Sequence, residues 1–181
     1  MRVSIGNEEV SRVTATDRLD PASFGLLYET HRLAVFRYLR ARTHSEADAL
    51  DLAALTFERA FAGIGRFRSR DGGVEAWLFR IARNCAIDAH RRRRPTVELT
   101  GADDQLGRVV TNTDRHEHER IELLDLVGRL PADQGEALLL RYAAGLTARE
   151  IGLVIGKREA AVQKHIERGL ATLREAFDDH D

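Results

Sequence analysis

The chain has few of the residues from which disulfide-bonded or metal-bound folds are built. Its 181 residues include one cysteine, Cys85, which excludes an internal disulfide and a cysteine-based zinc cluster. Because a free cysteine usually behaves as a small buried hydrophobe, and Cys85 lies among the apolar positions of a predicted helix, we expect an inert core thiol. Aromatic residues make up 6% of the chain and prolines number three, a composition that argues against an all-β sandwich.

Long apolar runs and catalytic motifs are also scarce. No segment approaches the roughly 20 apolar residues that span a bilayer, and residues 1–20 lack the apolar core of a signal peptide, so we expect a cytoplasmic protein. There is no glycine-rich phosphate loop and no nucleophile motif. The closely spaced histidines His116 and His118 have no third ligand at a credible spacing. The sequence therefore predicts no enzyme, no metal and no cofactor.

Charge is distributed unevenly, although the net charge is only −1. Residues 66–94 hold nine arginines against three acids, residues 95–130 hold four arginines against eight acids, and residues 141–174 hold seven bases against three acids. Two basic blocks separated by an acidic one suggest two modules that face nucleic acid and a connector. Solvation alone explains the scattered arginines, but the run Arg91 to Arg94 places four adjacent cations that repel one another unless a polyanion lies nearby.

Apolar residues recur at three- and four-residue steps, which predicts helices and no strands. The first three predicted helices span about residues 21–42, 45–64 and 74–93. Each has one apolar face, and three such helices can bury these faces only against one another, which predicts a small helical bundle. Residues 96–114 show no clear period and are rich in Thr, Gly, Asp and Asn, which is typical of a flexible linker.

Four further helices are predicted from about residue 115, and the last two carry the strongest functional signal. Thr147 caps a short helix, with Glu150 three residues later as in a capping box, and Gly156 ends it before a longer helix begins. This is a helix-turn-helix pattern. If Val162 and Ile166 dock the second helix on the first, its opposite face is free to enter the major groove of DNA, where its arginine and glutamine side chains can read base edges.

Two groups of residues resemble the sigma-70 family of bacterial RNA polymerase subunits. Residues 76–84 (AWLFRIARN) and the arginines beyond them resemble the helix with which the family reads the −10 promoter element. Residues 56–61 (TFERAF) resemble the preceding helix, which docks on the polymerase. Several residues in 130–156, together with 168–173, resemble the domain that reads the −35 element. The resemblance covers roughly residues 24–177, and two domains alone are similar to the small extracytoplasmic-function (ECF) type.

The resemblance implies an all-α protein with two small helical domains joined by a flexible linker. Its function would be that of a sigma factor, which directs core RNA polymerase to specific promoters and assists DNA melting. It implies core polymerase and promoter DNA as partners, admits an anti-sigma factor as a third, and predicts no membrane insertion. The corresponding division is an N-terminal extension (1–20), region 2 (21–95), a linker (96–114), region 4 (115–177) and an acidic tail (178–181).

The helix-turn-helix pattern and the resemblance together assign the site residues, none of which is catalytic. The −10 DNA-binding set is Arg66, Phe67, Arg68, Arg80, Arg83, Asn84, Arg91 and Arg92. The −35 DNA-binding set is Thr147, Arg158, Glu159, Gln163, Lys164, Glu167 and Arg168. The polymerase-binding set is Asp51, Leu52, Thr56, Glu58 and Arg59. Trp77 is expected in the core, and Asp88 is expected to pair with a nearby arginine. Ala54 and Leu55 depart from the family, which often has a Gln-Glu pair there.

One alternative is a helix-turn-helix regulator that binds DNA without recruiting polymerase. Such a regulator would have no need of a third helix that carries an asparagine and ends in arginines, features suited to melted DNA. Another alternative, a protein-interaction module sequestered by an inhibitor, is compatible with the sigma factor hypothesis, because a flexible linker permits a closed form.

Overall fold

The computed structural model describes residues 21–43, 45–68, 73–93 and 115–178. Within these ranges the regular structure is helical and no strand occurs, which confirms the predicted all-α class. The predicted N-terminal extension and linker lie outside the described residues, so the predicted domain boundaries stay predictions. The helices are α1 (Pro21–Arg40), α2 (Glu46–Gly63), a 3-10 turn (Ile64–Arg66), α3 (Gly73–Arg93), α4 (Arg115–Arg129), α5 (Ala132–Tyr142), α6 (Ala148–Ile155) and α7 (Glu159–Asp178).

Helices α1, α2 and α3, here called the N-terminal helices, pack against one another as the sequence predicts. Leu39 of α1, Ala60 of α2 and Leu78 of α3 are fully buried in their shared core. The rings of Tyr38 and Phe79 meet edge to face with their centroids 5.7 Å apart, the geometry that aromatic quadrupoles prefer. Cys85 has no exposed surface and forms no disulfide.

Four apolar residues that fit the three- and four-residue steps of the sequence are exposed instead of buried. Leu50 and Phe61 of α2 are 53% and 51% exposed, and Tyr28 and Phe177 are also largely accessible. Periodicity identified the correct helices but overestimated the width of the buried face, because each helix of a small bundle is buried only on the side that contacts its neighbours. Phe61 is only partly free, since its ring packs edge-on against Phe24 at 5.0 Å.

Helices α4 to α7, here called the C-terminal helices, form a second packed group in which α7 contacts α5 and α6. Leu140, Ile151 and Val162 are fully buried in it. Gly169 of α7 lies so close to α5 that a Cβ atom there would be 2.9 Å from the Cδ1 atom of Leu138. A glycine at this position therefore permits the close crossing of α5 and α7.

The two groups of helices contact each other. The main contact is between α3 and α6, and a second one joins the end of α1 to α5. The structure is therefore a closed form, in which the helix predicted to read the −10 element packs on the first helix of the helix-turn-helix.

Candidate nucleic-acid interface

The helix-turn-helix is formed by α6, a tight turn and α7. The predicted capping box is present: the Thr147 amide donates to Oε2 of Glu150 at 2.7 Å, and the Glu150 amide donates to the Thr147 hydroxyl at 3.3 Å. Gly156 ends α6 in the left-handed conformation at φ +71°, which glycine adopts without steric cost. The Lys157 amide then donates to the Gly152 carbonyl at 2.9 Å and closes the turn.

The packing of the turn also depends on a residue that the sequence analysis did not single out. A Cβ atom at Gly152 would lie 2.5 Å from the carbonyl oxygen of Lys157, a separation that real Cβ atoms do not show. The Lys157 ammonium pairs with Asp133 of α5 at 2.8 Å, which links the turn to the helix behind it. Glycine at position 152 is thus required for the close approach of the turn to α6.

The predicted −35 residues on α7 all lie on accessible surface. Val162 is buried, whereas Gln163, Lys164, Glu167 and Arg168 are exposed. Arg158 and Glu159, at the start of the helix, are exposed as well. Thr147 differs from the others in the set, because its hydroxyl and amide are both engaged in the capping box, so its role in the structure is to begin α6.

The predicted −10 residues of α3 are in two situations. Asn84, Arg91 and Arg92 are exposed, and Arg92 donates from Nε to the Asp88 carbonyl at 3.2 Å. Arg80 and Arg83 face the C-terminal helices instead. The Nη2 atom of Arg80 donates to the Leu153 carbonyl of α6 at 3.3 Å, and the Nε atom of Arg83 lies 3.4 Å from Oε1 of Glu136.

The loop residue Phe67 requires a correction, because we predicted it as a member of the −10 DNA-binding set. Phe67 is only 2% exposed, and its ring lies 5.2 Å from that of Trp77, so it belongs to the core of the N-terminal helices. The partly buried Trp77 also packs against this core, as expected. Arg68 donates to the carbonyls of Gly65 and Phe67 at 3.0 and 2.6 Å and so stabilises the loop, while Arg66 is exposed.

Two residues of the predicted polymerase-binding set also require correction. Leu52 is buried and Thr56 is 0% exposed, and the Thr56 hydroxyl donates to the Leu52 carbonyl within α2 at 2.7 Å. They face the core because they lie opposite the accessible side of α2. Asp51 and Glu58 are exposed, whereas Arg59 pairs with Asp88 of α3 at 3.1 Å, the kind of pairing predicted for Asp88.

The accessible side of α2 contains apolar residues that fit the same three- and four-residue steps as the buried residues of this helix. The spacing of Leu50, Ala54, Glu58 and Phe61 puts them on one side of the helix, and all four are exposed. We call these four residues the α2 outer stripe. The sequence carried no separate signal for this stripe, because its apolar members fit the same three- and four-residue steps as the buried residues of α2.

Glu136 is the functional candidate for which the sequence analysis had no assignment. It lies on α5, is only 6% exposed, and accepts a hydrogen bond from the Tyr38 hydroxyl at 2.7 Å. It also pairs with Arg42 and with Arg83. Burial, with Glu136 adding to it, raises the pKa of Tyr38 well above its usual value. The sequence signal was a single acid at the start of the apolar run Ala137 to Leu140.

A second group of charged residues lies where the two groups of helices meet. The imidazole Nε2 of His31 is 3.9 Å from Oε1 of Glu75. Burial raises the pKa of Glu75, and the negative charge of Glu150 on α6 raises it further. Burial lowers the pKa of His31, and Glu150 partly offsets this effect. These residues do not form a metal site: no group of three or more potential ligands occurs among the residues that the structure describes.

These observations define a helical protein with an accessible helix-turn-helix and a second candidate DNA-binding helix. Residues 27–96 match the family described as Sigma-70 region 2, and residues 120–173 match Sigma-70, region 4. The chain belongs to the sigma-70 family of RNA polymerase sigma factors, as a member of the ECF type. Sigma factors direct RNA polymerase to promoters, and this is the function of the chain within that family.

Curated relatives agree with this membership, and solved structures share the fold. The chain is 33% identical over 161 residues to the ECF RNA polymerase sigma factor BldN of Streptomyces coelicolor, covering 87% of this chain and 61% of BldN. It is 28% identical to the ECF sigma factor SigM of Bacillus subtilis, covering 83% of this chain and 93% of SigM. It shares its fold with CnrH in a complex with the cytosolic domain of CnrY, at a TM-score of 0.68 and 24% identity over 90% of this chain and 92% of CnrH.

A further solved relative is the sigma factor RpoE of Bartonella quintana in complex with the anti-sigma factor NepR. Its TM-score is 0.64 at 20% identity, over 86% of this chain and 97% of RpoE.

In the part of the chain that the structure describes, none of the helices has the length and apolar character needed to cross a membrane.

Proposed function

We propose that this sigma factor reads the −35 element with α7 and the −10 element with α3. The observation that supports the first role most directly is the two-sided character of α7, in which Val162 is buried and Gln163, Lys164 and Arg168 are exposed. A helix held by its apolar side against α6 can enter the major groove with its polar side. Asn84 on α3 is exposed and can both donate and accept hydrogen bonds, as base-edge reading requires.

We propose that the α2 outer stripe, with Asp51, is the surface that docks on core polymerase. It combines exposed apolar side chains with the carboxylate of Glu58, a composition typical of the centre and rim of a protein interface. Leu52 and Thr56 support the same surface from inside the bundle. Ala54, which stands where relatives often have a larger polar residue, lies in the middle of this stripe and leaves room for a partner side chain.

We also propose that the protein has no catalytic activity of its own, acts in the cytoplasm with core polymerase, and is regulated by an anti-sigma factor. The last point is supported by analogy, because RpoE and CnrH were both solved with a bound partner. The accessible face of α7 by itself would equally suit a helix-turn-helix regulator that does not recruit polymerase, so binding to core polymerase is the property to demonstrate.

One experiment separates these two functions. The chain is incubated with bacterial core polymerase, the complex is isolated by size exclusion, and run-off transcription is measured on genomic fragments. We expect a stable holoenzyme and transcripts that start downstream of shared −35 and −10 elements. Leu50→Asp should weaken the complex with core polymerase, whereas Leu123→Asp, a matched change at an exposed leucine of α4, should not. Sequence-specific duplex binding without core binding would instead favour the regulator.

A further inference from the structure

The contact between the two groups of helices is centred on one buried carboxylate. Glu136 projects from α5, one of the C-terminal helices, and its side chain is 8% exposed. Three side chains from the N-terminal part of the chain surround it: the Tyr38 hydroxyl at 2.7 Å, the Arg42 guanidinium and the Arg83 guanidinium. A buried carboxylate is costly unless charged and hydrogen-bonding partners surround it, so the side chain favours whichever arrangement supplies them.

The same contact occupies the surface of α3 that would otherwise face DNA. Arg83 lies against Glu136, and Arg80 donates to the Leu153 carbonyl of α6. The Nε atom of Arg83 is buried and makes no hydrogen bond with the residues described, and its 3.4 Å distance to Oε1 of Glu136 is longer than the usual range for such a bond. Arg83 is therefore held by charge more than by hydrogen bonds, and a phosphate group could form stronger hydrogen bonds with its guanidinium group.

We propose that Glu136 is an intramolecular latch that holds the sigma factor closed and competes with promoter DNA for Arg83. The inference rests on the proposed function, in which α3 reads the −10 element. Promoter DNA binds α3 only after the two groups of helices separate, so the apparent affinity for the −10 element is reduced by the fraction of molecules that are closed. Opening exposes Glu136 to water and releases Arg83 for the DNA backbone.

The latch differs from an ordinary surface ion pair in its burial and in its number of partners. Exposed pairs contribute little to stability, whereas removing one member of a buried cluster leaves the others unpaired. Arg42 and Arg83 have side-chain exposures of 12% and 31%, so loss of the carboxylate would remove the negative charge that faces both guanidinium groups. Substitution of Glu136 should consequently favour the open form.

The test uses the full-length chain with two reporters, one for opening and one for DNA. Donor and acceptor dyes are attached at Leu50→Cys on α2 and Thr172→Cys on α7, both exposed positions, while the buried Cys85 stays unlabelled. Binding is measured with a fluorescent single-stranded oligonucleotide that is copied from the non-template −10 strand of a promoter mapped by run-off transcription. The variants are Glu136→Gln and Tyr38→Phe, with Glu122→Gln as a control that removes the same charge from an exposed site on α4.

We expect Glu136→Gln to lower energy transfer and to tighten oligonucleotide binding about five- to tenfold, with a smaller change in the same direction for Tyr38→Phe and none for Glu122→Gln. Unchanged energy transfer in both latch variants, with helical circular dichroism retained, overturns the latch. Lower energy transfer without tighter binding leaves the latch in place but overturns its competition with DNA and the proposed role of α3. If Glu136→Gln fails to fold, the energy transfer and oligonucleotide binding of Tyr38→Phe test the proposal instead, because this variant removes one hydroxyl and keeps the ring in the core.

Discussion

Gly152 determines how closely the turn of the helix-turn-helix approaches α6. We expect Gly152→Ala to destabilise the protein by about 1–3 kcal/mol, because the new Cβ atom would lie 2.5 Å from a backbone carbonyl that cannot rotate away. Thermal unfolding followed by circular dichroism measures the effect. Gly25→Ala is the control: it lies in a helix with open space around its Cβ position and should be neutral or stabilising by up to ~1 kcal/mol. Equal behaviour of the two variants would contradict the close approach.

The ionisation of Glu75 makes the stability of the folded protein depend on pH. Its pKa is raised in the folded protein above the ordinary 4.5, so the folded state binds the proton more tightly than the unfolded state. The contribution of Glu75 to stability is therefore greatest below pH 4.5. This contribution falls as the pH rises through the raised pKa. Glu75→Gln should raise the melting temperature at pH 7, because the amide carries no charge that burial penalises.

The advantage of Glu75→Gln should shrink as the pH is lowered to 4.5 and below, where the parent carboxyl is also protonated. Melting curves at several pH values measure this. His31, whose pKa is lowered, is neutral at pH 7 and loses no ionic partner in the variant. Glu58→Gln, at an exposed site on α2, is the matched control. An advantage that stayed constant over the whole pH range would show that ionisation is not its cause.

Asn84 separates promoter opening from promoter binding. We expect Asn84→Ala to spare binding to duplex DNA that contains the −35 element, because Asn84 lies on α3 and not on α7. It should reduce promoter opening at least about fivefold, since removal of a base-edge hydrogen bond costs about 1–3 kcal/mol. Permanganate reactivity of unpaired thymines measures opening, and gel shift measures duplex binding. A loss of both together would point to misfolding instead.

At the scale of a single element, α7 is expected to bind phosphate groups of the −35 duplex. Lys164→Ala with Arg168→Ala should weaken binding and make its salt dependence shallower by about 0.9 in the log–log slope for each phosphate that is no longer neutralised. Arg174→Ala, an exposed arginine further along the same helix, is the control and should retain the parent slope. Fluorescence anisotropy at several salt concentrations gives both values. An unaltered slope in the double variant would place these side chains away from DNA.

The helices themselves were predictable because their signals are local. The capping box of Thr147 and the break at Gly156 are both confirmed, and each depends on residues within four positions of one another. The exposed side of α2 was not predictable, because Leu50 and Phe61 fit the apolar period as well as the buried residues do. The burial of Phe67 was not predictable for a similar reason. A loop phenylalanine between arginines suggests an accessible surface site, and only the packing against Trp77 shows that the ring is buried.

At the scale of the whole molecule, the contact between the two groups of helices could not be predicted. The hydrogen bond from Tyr38 to Glu136 joins residues 98 positions apart, with the predicted linker between them. Neither residue has a local feature that specifies the other. The helix-turn-helix was identified from its capping and turn residues, and α3 from its resemblance to the family, but the covering of α3 in the closed form depends on tertiary packing alone.

The exposed face of α7 has a kinetic consequence in this closed form. Because α7 is accessible while Arg80 and Arg83 of α3 are engaged with the C-terminal helices, the upstream half of a promoter can be bound first. Changes in the −35 sequence should then mainly alter the second-order rate constant of association. Changes in the −10 sequence should mainly alter a later, first-order isomerisation whose rate does not depend on protein concentration.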